Sequence, residues 1–361
     1  MKKIKLFDPI IGKTEEIAIR KVLQSHYWSS GSGGGKVFEF ENKFKKYINS
    51  NGVVALNSGT AALHLALSLY NLKNKEVILP SLSFVSTAHA ILYNGGIPVF
   101  ADISNKTLCL DPEKVKKKIT KKTAAIIPVH FGGIASDLDE FAKISQNHKI
   151  PIIEDAAHAC GAKYNGKRIG LHSPLVCFSF HPVKNLAMPG GGLISINHSD
   201  NKKMKAILES RRWCGITNRK GVKYDVNDLG WNYYMNEFSA SIGTIQLSKL
   251  DKLNKKRKSI AKIYNKKLNV EQKMIYDDDC SYHFFWIATP NREKLRKKLE
   301  THGIETGIHY NPIHKMSMYN SRIKLPNTEN ITSQIVTLPT HPNLTRDDVN
   351  LIVDLINEFG K

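Results

Sequence analysis

IPIIEDAAHACGA, residues 150 to 162, decides how this chain is read. A short apolar run ends on two carboxylates, Glu154 and Asp155, and then on small residues. Such a run bounded by turn formers reads as a buried β-strand. A carboxylate carried into a confined place by a strand needs a cation or an N–H donor to stay charged. A protonated pyridine nitrogen would serve. Mg²⁺ held by both carboxylates is the other reading, although no second acidic pair stands at another strand end. His158, one turn later, either hydrogen-bonds a ring substituent or packs in the core.

Outward from this stretch the same pattern recurs: GVVALNSG (52–59), KEVILPSLSF (75–84), IPVFADI (97–103), AAIIPVHFGG (124–133) and LVCFSF (175–180). Turn residues or helix-like segments follow each run, so the fold is α/β with a mostly parallel sheet covered by helices. Sheets of this kind bind ligands at the carboxyl ends of their strands. Ser58-Gly59-Thr60, Ser83-Phe84, Glu154-Asp155 and Ser179 fall at those ends. QLSKLDKLNKKRKSIAKIYNKKL (246–268) has apolar residues at helical spacing and reads as a long amphipathic connector. Strand candidates around YHFFWIA and a last helix, TRDDVNLIVDLINEFG with Thr345 as N-cap, follow it. We therefore expect a large domain, residues 1–245 with its N-terminal segment, and a smaller C-terminal α+β domain, 246–361.

Composition sets the outer bounds. The chain has 361 residues, 41% of them apolar, enough for a sizeable core and against disorder. MKKIKLFDPIIGKTEE, at the start, is broken by Asp8, Pro9, Lys13 and Glu15 and does not read as a signal peptide. No uncharged stretch reaches spanning length. We expect a soluble, cytoplasmic protein with reduced thiols, because the five cysteines form no C-x-x-C pair or disulfide framework. The net charge of +21 favours anionic partners: nucleic acid, a membrane surface or phosphorylated metabolites. The basic runs 114–122 and 249–258 lack interleaved aromatics and read as solvated helix faces, so we expect neither nucleic acid nor membrane as partner. GSGGG (31–35) reads as a mobile or ligand-adjacent loop.

The chemistry gathers around FSFHPVKNLAMPGGG (178–192), which sets Lys184 between an apolar run and a glycine triplet. A confined lysine loses its charge and can attack a carbonyl, giving a Schiff base. In NSGTAALHLAL (57–67) a strand runs into a helix start, where Ser58, the N–H groups of Gly59 and Thr60 and the Thr60 hydroxyl can surround a phosphate; Ser58 as a plain cap is the simpler reading. Phe84 can cover an aromatic ring, and Ser179 can add a hydroxyl to the phosphate. An acid for a pyridine nitrogen, a downstream lysine and a phosphate-binding helix start together describe pyridoxal 5′-phosphate binding, with no metal.

With these motifs in view the chain resembles the DegT-type sugar aminotransferases, fold type I pyridoxal phosphate enzymes. WSSGSGGGKVFEFENKF, NSGTAALHLAL, PSLSFVSTAHAILYNGGIPVFADI, IPIIEDAAHACGA, FSFHPVKN, LGWNYYMNEFSASIGTIQL and HYNPIH carry the resemblance along nearly the whole chain. It implies that Lys184 holds the cofactor covalently, that Asp155 pairs with its ring nitrogen, that Phe84 stacks on it and that His158 lies beside it. Gly59, Thr60 and Ser179 would bind the phosphate. It further implies a homodimer in which Asn232 reaches the partner's cofactor, with His309 and Tyr310, and Trp28, Ser29 and Ser30, near substrate. The implied reaction moves an amino group from L-glutamate to a keto sugar, nucleotide-linked, for an amino sugar of a surface polysaccharide or glycosylated metabolite. A sugar dehydratase of the same family, which has His where Lys184 stands, and a cofactor-binding regulator are the alternatives. Two positions depart from the family pattern: Ala187 to Gly192 replace T-T-G-E-G-G, and Tyr234 replaces an arginine.

Overall fold

The computed structural model describes residues 3–360; the first two residues of the N-terminal stretch, and Lys361 at the end of the second expected domain, lie outside them. The central strands are β1 (Gly52–Leu56), β2 (Glu76–Pro80), β3 (Ile97–Ala101), β4 (Thr123–Ile126), β5 (Ile153–Asp155), β6 (Leu175–Ser179) and β7 (Gly192–Ile196). β2 runs parallel to β3 and β4, and β5 parallel to β6. Parallel bridges Ile126↔Ile152 and Val129↔Asp155 join the two halves. β7 lies antiparallel between β6 and β1. The order β3-β2-β4-β5-β6-β7-β1 thus makes the mostly parallel sheet that the apolar runs imply.

β1 and β7 are buried along their whole length, as strands covered on both faces must be. β7 is the strand that the recurring pattern missed. It follows the Lys184 loop with no helix between, and a parallel return needs a crossover, so it runs antiparallel.

The lysine-rich connector is a helix, Glu237–Lys267, of 31 residues. It begins before the amphipathic stretch because Asn236 caps it, its side chain accepting the Ser239 N–H. Its first turns, SASIGTIQL, have no polar stripe because they pack between helices Lys13–Ser25 and Gly35–Ile48. The last helix, Arg346–Phe359, starts at Thr345 in a reciprocal capping box with Asp348. Ahead of it a three-stranded antiparallel sheet (Gln272–Lys273, Phe285–Ala288, Ile335–Leu338) supports an apolar cluster of Trp286, Ile287, Val336 and Ile352. The same cluster takes in Leu82, Ile103 and Phe131 from the central sheet's connections, so the two parts share one core. No helix among the described residues is long and apolar enough to cross a membrane.

Candidate active site

A cavity of about 450 Å³ opens at the carboxyl ends of β1, β5 and β6. It brings together most of the residues that the sequence singled out: Ser58, Gly59, Thr60, Phe84, Asp155, His158, Ser179, Lys184, His309 and Tyr310 all line it.

Asp155 closes one end. It is buried, and its two oxygens accept the Thr87 hydroxyl at 2.8 Å and the Ala157 N–H at 3.1 Å. A carboxylate can accept about four hydrogen bonds, so capacity remains on the cavity side. Burial raises the Asp155 carboxyl above the usual range, more than Thr87, Ala157 and the charge of Lys184 lower it. A cation or N–H donor arriving from the cavity would relieve that cost.

Lys184 supplies the reactive group. Half-buried by area because it faces the opening, it carries its amine in surroundings dry enough to lower its pKa to about 8, against the opposing attraction of Asp155. An amine that becomes neutral around pH 8 rather than 10.5 is what a carbonyl-attacking lysine requires.

The phosphate end is built on helix Gly59–Ser68. Ser58 is its N-cap, accepting the Ala61 N–H at 3.1 Å, so its side chain serves the helix start itself. The N–H groups of Gly59 and Thr60 precede the first helical bond, Ala62 to Ser58, and by helix geometry point outward. Gly192 lets this turn sit against the sheet, since a Cβ there would lie 2.1 Å from the Ser58 carbonyl oxygen.

His158, Tyr310 and His309 form the roof. His158 Nε2 and the Tyr310 hydroxyl are 2.9 Å apart, and their rings stack at 6.0 Å. Burial holds His158 well below the usual histidine value, with Lys184 adding to the effect, so the ring is neutral. His309 Nδ1 meets the Thr337 hydroxyl at 2.8 Å, and burial followed by Lys184 lowers its pKa to about 4. Phe84, 55% exposed, lies 6.0 Å from the Tyr310 ring and offers a bare aromatic face to the cavity.

Four expected residues lie outside this cavity. Trp28 packs on Phe238, Ser29 bridges Asn236, and the Ser30 hydroxyl meets that of Ser32 at 2.6 Å. Asn232 bridges Trp213 through its backbone, and its carbonyl accepts the Asn57 amide. GSGGG does not border the cavity either: at Gly33, with φ +74°, a Cβ would lie 2.0 Å from the buried Arg212 guanidinium. Its glycines answer to close packing. The departure at Met188 has a similar cause, because the buried thioether fills the space that Gly243 leaves on helix Glu237–Lys267. Tyr234 bridges Leu56 at the end of β1.

Thr87 and the Ala157 N–H were missed. Thr87 stands one helical turn after Phe84, in the same PSLSFVST stretch, and its hydroxyl also meets Ser83 at 2.8 Å. A residue at i+3 from a ring-covering aromatic was the available signal. Glu154 points away from Asp155, so the two share no ion; among the described residues no cluster of three or more His, Cys, Asp or Glu could hold a metal.

The donor set tests well against a flat, phosphorylated pyridine aldehyde. An under-satisfied acid, a partly neutral amine and a capped helix start face one cavity. Each matches one end of such a molecule.

Comparison with known proteins agrees. The model of the DegT/DnrJ/EryC1/StrS aminotransferase family matches residues 9–357. The spore coat polysaccharide biosynthesis protein SpsC of Bacillus subtilis (strain 168) is 31% identical, over 98% of this chain and 96% of its own. PseC of Helicobacter pylori, an aminotransferase involved in the biosynthesis of pseudoaminic acid, superposes with a TM-score of 0.93 at 26% identity, covering 99% of both chains. Spr1654 from Streptococcus pneumoniae, in its PLP form, gives 0.93 at 25% identity over 99% of this chain and 98% of that one.

Proposed function

This chain belongs to the DegT/DnrJ/EryC1/StrS aminotransferase family, and on that premise we propose that it moves an amino group from L-glutamate to a nucleotide-linked keto sugar. It is an aminotransferase, and its cofactor is pyridoxal 5′-phosphate. The observation that carries the reading is the pairing, in one cavity, of the Lys184 amine at about pKa 8 with the under-satisfied Asp155.

When bound, the cofactor supplies an electron sink that makes the hydrogen on the carbon next to the amine acidic. Asp155 would hold the ring nitrogen protonated, and Lys184 Nζ would hold the aldehyde carbon and, once freed from it, carry the proton from the substrate carbon to that same cofactor carbon. Gly59, Thr60 and Ser179 would hold the phosphate, with Ser58 fixing the helix start. Phe84 would cover the ring and His158 would lie beside it. The net charge of +21 draws the carboxylates of the donor and the diphosphate of the acceptor towards the protein. Product use in an amino sugar for surface polysaccharide or a glycosylated metabolite follows from the same reading.

The proposal includes a homodimer. Asn232 and Trp28 to Ser30 lie outside their own chain's cavity, which suits service to the partner's. It keeps the two domains at 1–245 and 246–361, a boundary inside helix Glu237–Lys267, and a cytoplasmic location, supported by five free cysteines among the described residues. Lys184 itself favours transfer over dehydration. The test is a half-reaction: purified protein loaded with the cofactor, mixed with L-glutamate, should lose the absorbance of the lysine-bound form and release 2-oxoglutarate, then recover it with one nucleotide keto sugar of a panel. No loss of absorbance with L-glutamate, or no recovery with any nucleotide keto sugar of the panel, would refute the donor or the acceptor respectively.

A further inference from the structure

Glu154 and His130 lie behind the cavity and do not line it. Neighbours on a strand face opposite sides, so Asp155 in the cavity sends Glu154 to the far face of the sheet. There its Oε2 meets His130 Nε2 at 2.8 Å, both side chains fully buried, while Oε1 has no hydrogen-bond partner among the described residues. Burying this polar pair costs desolvation that well-packed apolar residues at the same place would not. The pair therefore invites a second explanation.

Hydrogen bonds assign the protons. The Ser136 N–H donates to His130 Nδ1 at 3.0 Å, so that nitrogen carries no hydrogen and Nε2 does. His130 is then a neutral donor to Glu154. The same loop is tied to β5 on both sides, His130 N–H to the Asp155 carbonyl and Asp155 N–H to the Pro128 carbonyl. Two residues on, the Gly132 N–H reaches His158 Nδ1 at 3.4 Å. By the same logic His158 keeps its proton on Nε2 and donates it to the Tyr310 oxygen. Tyr310 cannot donate back, so its own O–H is left for the cavity. Burial keeps both groups uncharged, holding His158 down and pushing the Tyr310 hydroxyl up.

We propose that Glu154 and His130 are positioning residues: they hold loop 129–136 so that the Gly132 N–H fixes the tautomer of His158, and through it the direction in which Tyr310 offers its O–H to an oxygen of the bound substrate. The proposal rests on reading this cavity as the substrate site. Glu154 thereby acts on the reaction from the opposite face of the strand that carries Asp155, without touching anything that reacts.

The experiment uses cofactor-free protein labelled with ¹⁵N-histidine, its ring signals at pH 7 assigned with His158→Asn and His130→Gln. Wild type is expected to have both rings neutral with the proton on Nε2. In Glu154→Leu, which removes the acceptor, the His158 signal should average between its two nitrogens, and in Glu154→Gln, which still accepts, it should return to the wild-type form. With cofactor and substrates, Glu154→Leu should lower kcat about tenfold, the scale of one lost hydrogen bond, and cause no further loss in a Tyr310→Phe background. A wild-type His158 protonated on Nδ1, a tautomer indifferent to Glu154→Leu, or additive losses with Tyr310→Phe would each overturn the proposal. The wild-type spectrum decides even if Glu154→Leu does not fold. Failure to bind cofactor would instead strike the function reading, leaving the tautomers as measured.

Discussion

Asp155 and Glu154 are neighbours on one strand, both carboxylates, both buried, yet they are built for different work. Asp155 receives a hydroxyl and an N–H and still faces an opening. Glu154 receives one imidazole and faces packed protein. The difference lies in what the sheet places opposite each: a cavity on one face, the 129–136 loop on the other. A buried acid with spare acceptor capacity beside a cavity awaits a ligand's donor; one sealed against a loop can act only through that loop.

The largest effect expected from this contrast is at Asp155. Asp155→Ala should reduce kcat about a thousandfold, the scale for losing a preorganised charge partner, with the unfolding temperature little changed. A comparable loss from Glu154→Leu would erase the distinction between the faces. Next is Gly192→Ala, whose Cβ would press on the Ser58 carbonyl and shift the helix start. Cofactor affinity, titrated by absorbance, should fall at least about tenfold, roughly one hydrogen bond's worth.

Lys184 gives a pH signature. Its folded pKa of about 8 lies below the ordinary 10.5, so well below pH 8 the amine is protonated in both folded and unfolded protein and its burial costs stability in full. The cost shrinks as pH rises from about 8 to 10.5. Cofactor-free Lys184→Met should therefore be more stable than wild type to urea at pH 7, by up to about 3 kcal/mol, with the gain fading above pH 8. A gain that grows with pH would contradict the desolvated amine. The smallest effect is expected at Asn232, outside its own chain's cavity: Asn232→Ala should weaken cofactor phosphate binding a few-fold, about one shared hydrogen bond, as read by equilibrium dialysis. No change at all would remove Asn232 from the shared site.

Much of this was legible in the chain. Buried parallel strands announce themselves as apolar runs, and their ends named Asp155, Ser179 and, a short loop beyond, Lys184. β7 was hidden because its antiparallel return depends on the missing crossover, and the first turns of helix Glu237–Lys267 because helices pack against them on two sides and leave no single apolar stripe. Thr87 could be suspected from its place one turn after Phe84, but its pairing with Asp155 joins segments 68 residues apart and leaves no local pattern. The Gly132 N–H left no trace in residue types, being backbone. His130 and Glu154 stand in plain view in AAIIPVHFGG and IPIIEDAA, but only the register of β4 with β5 brings them together.

The central claim, that Lys184 is the covalent anchor of pyridoxal 5′-phosphate, is tested most directly by trapping. Protein incubated with the cofactor, reduced with borohydride and digested should carry the phosphopyridoxyl group on the peptide containing Lys184, and Lys184→Ala should carry none. Labelling confined to other lysines, or equal labelling of the Lys184→Ala protein, would contradict the account.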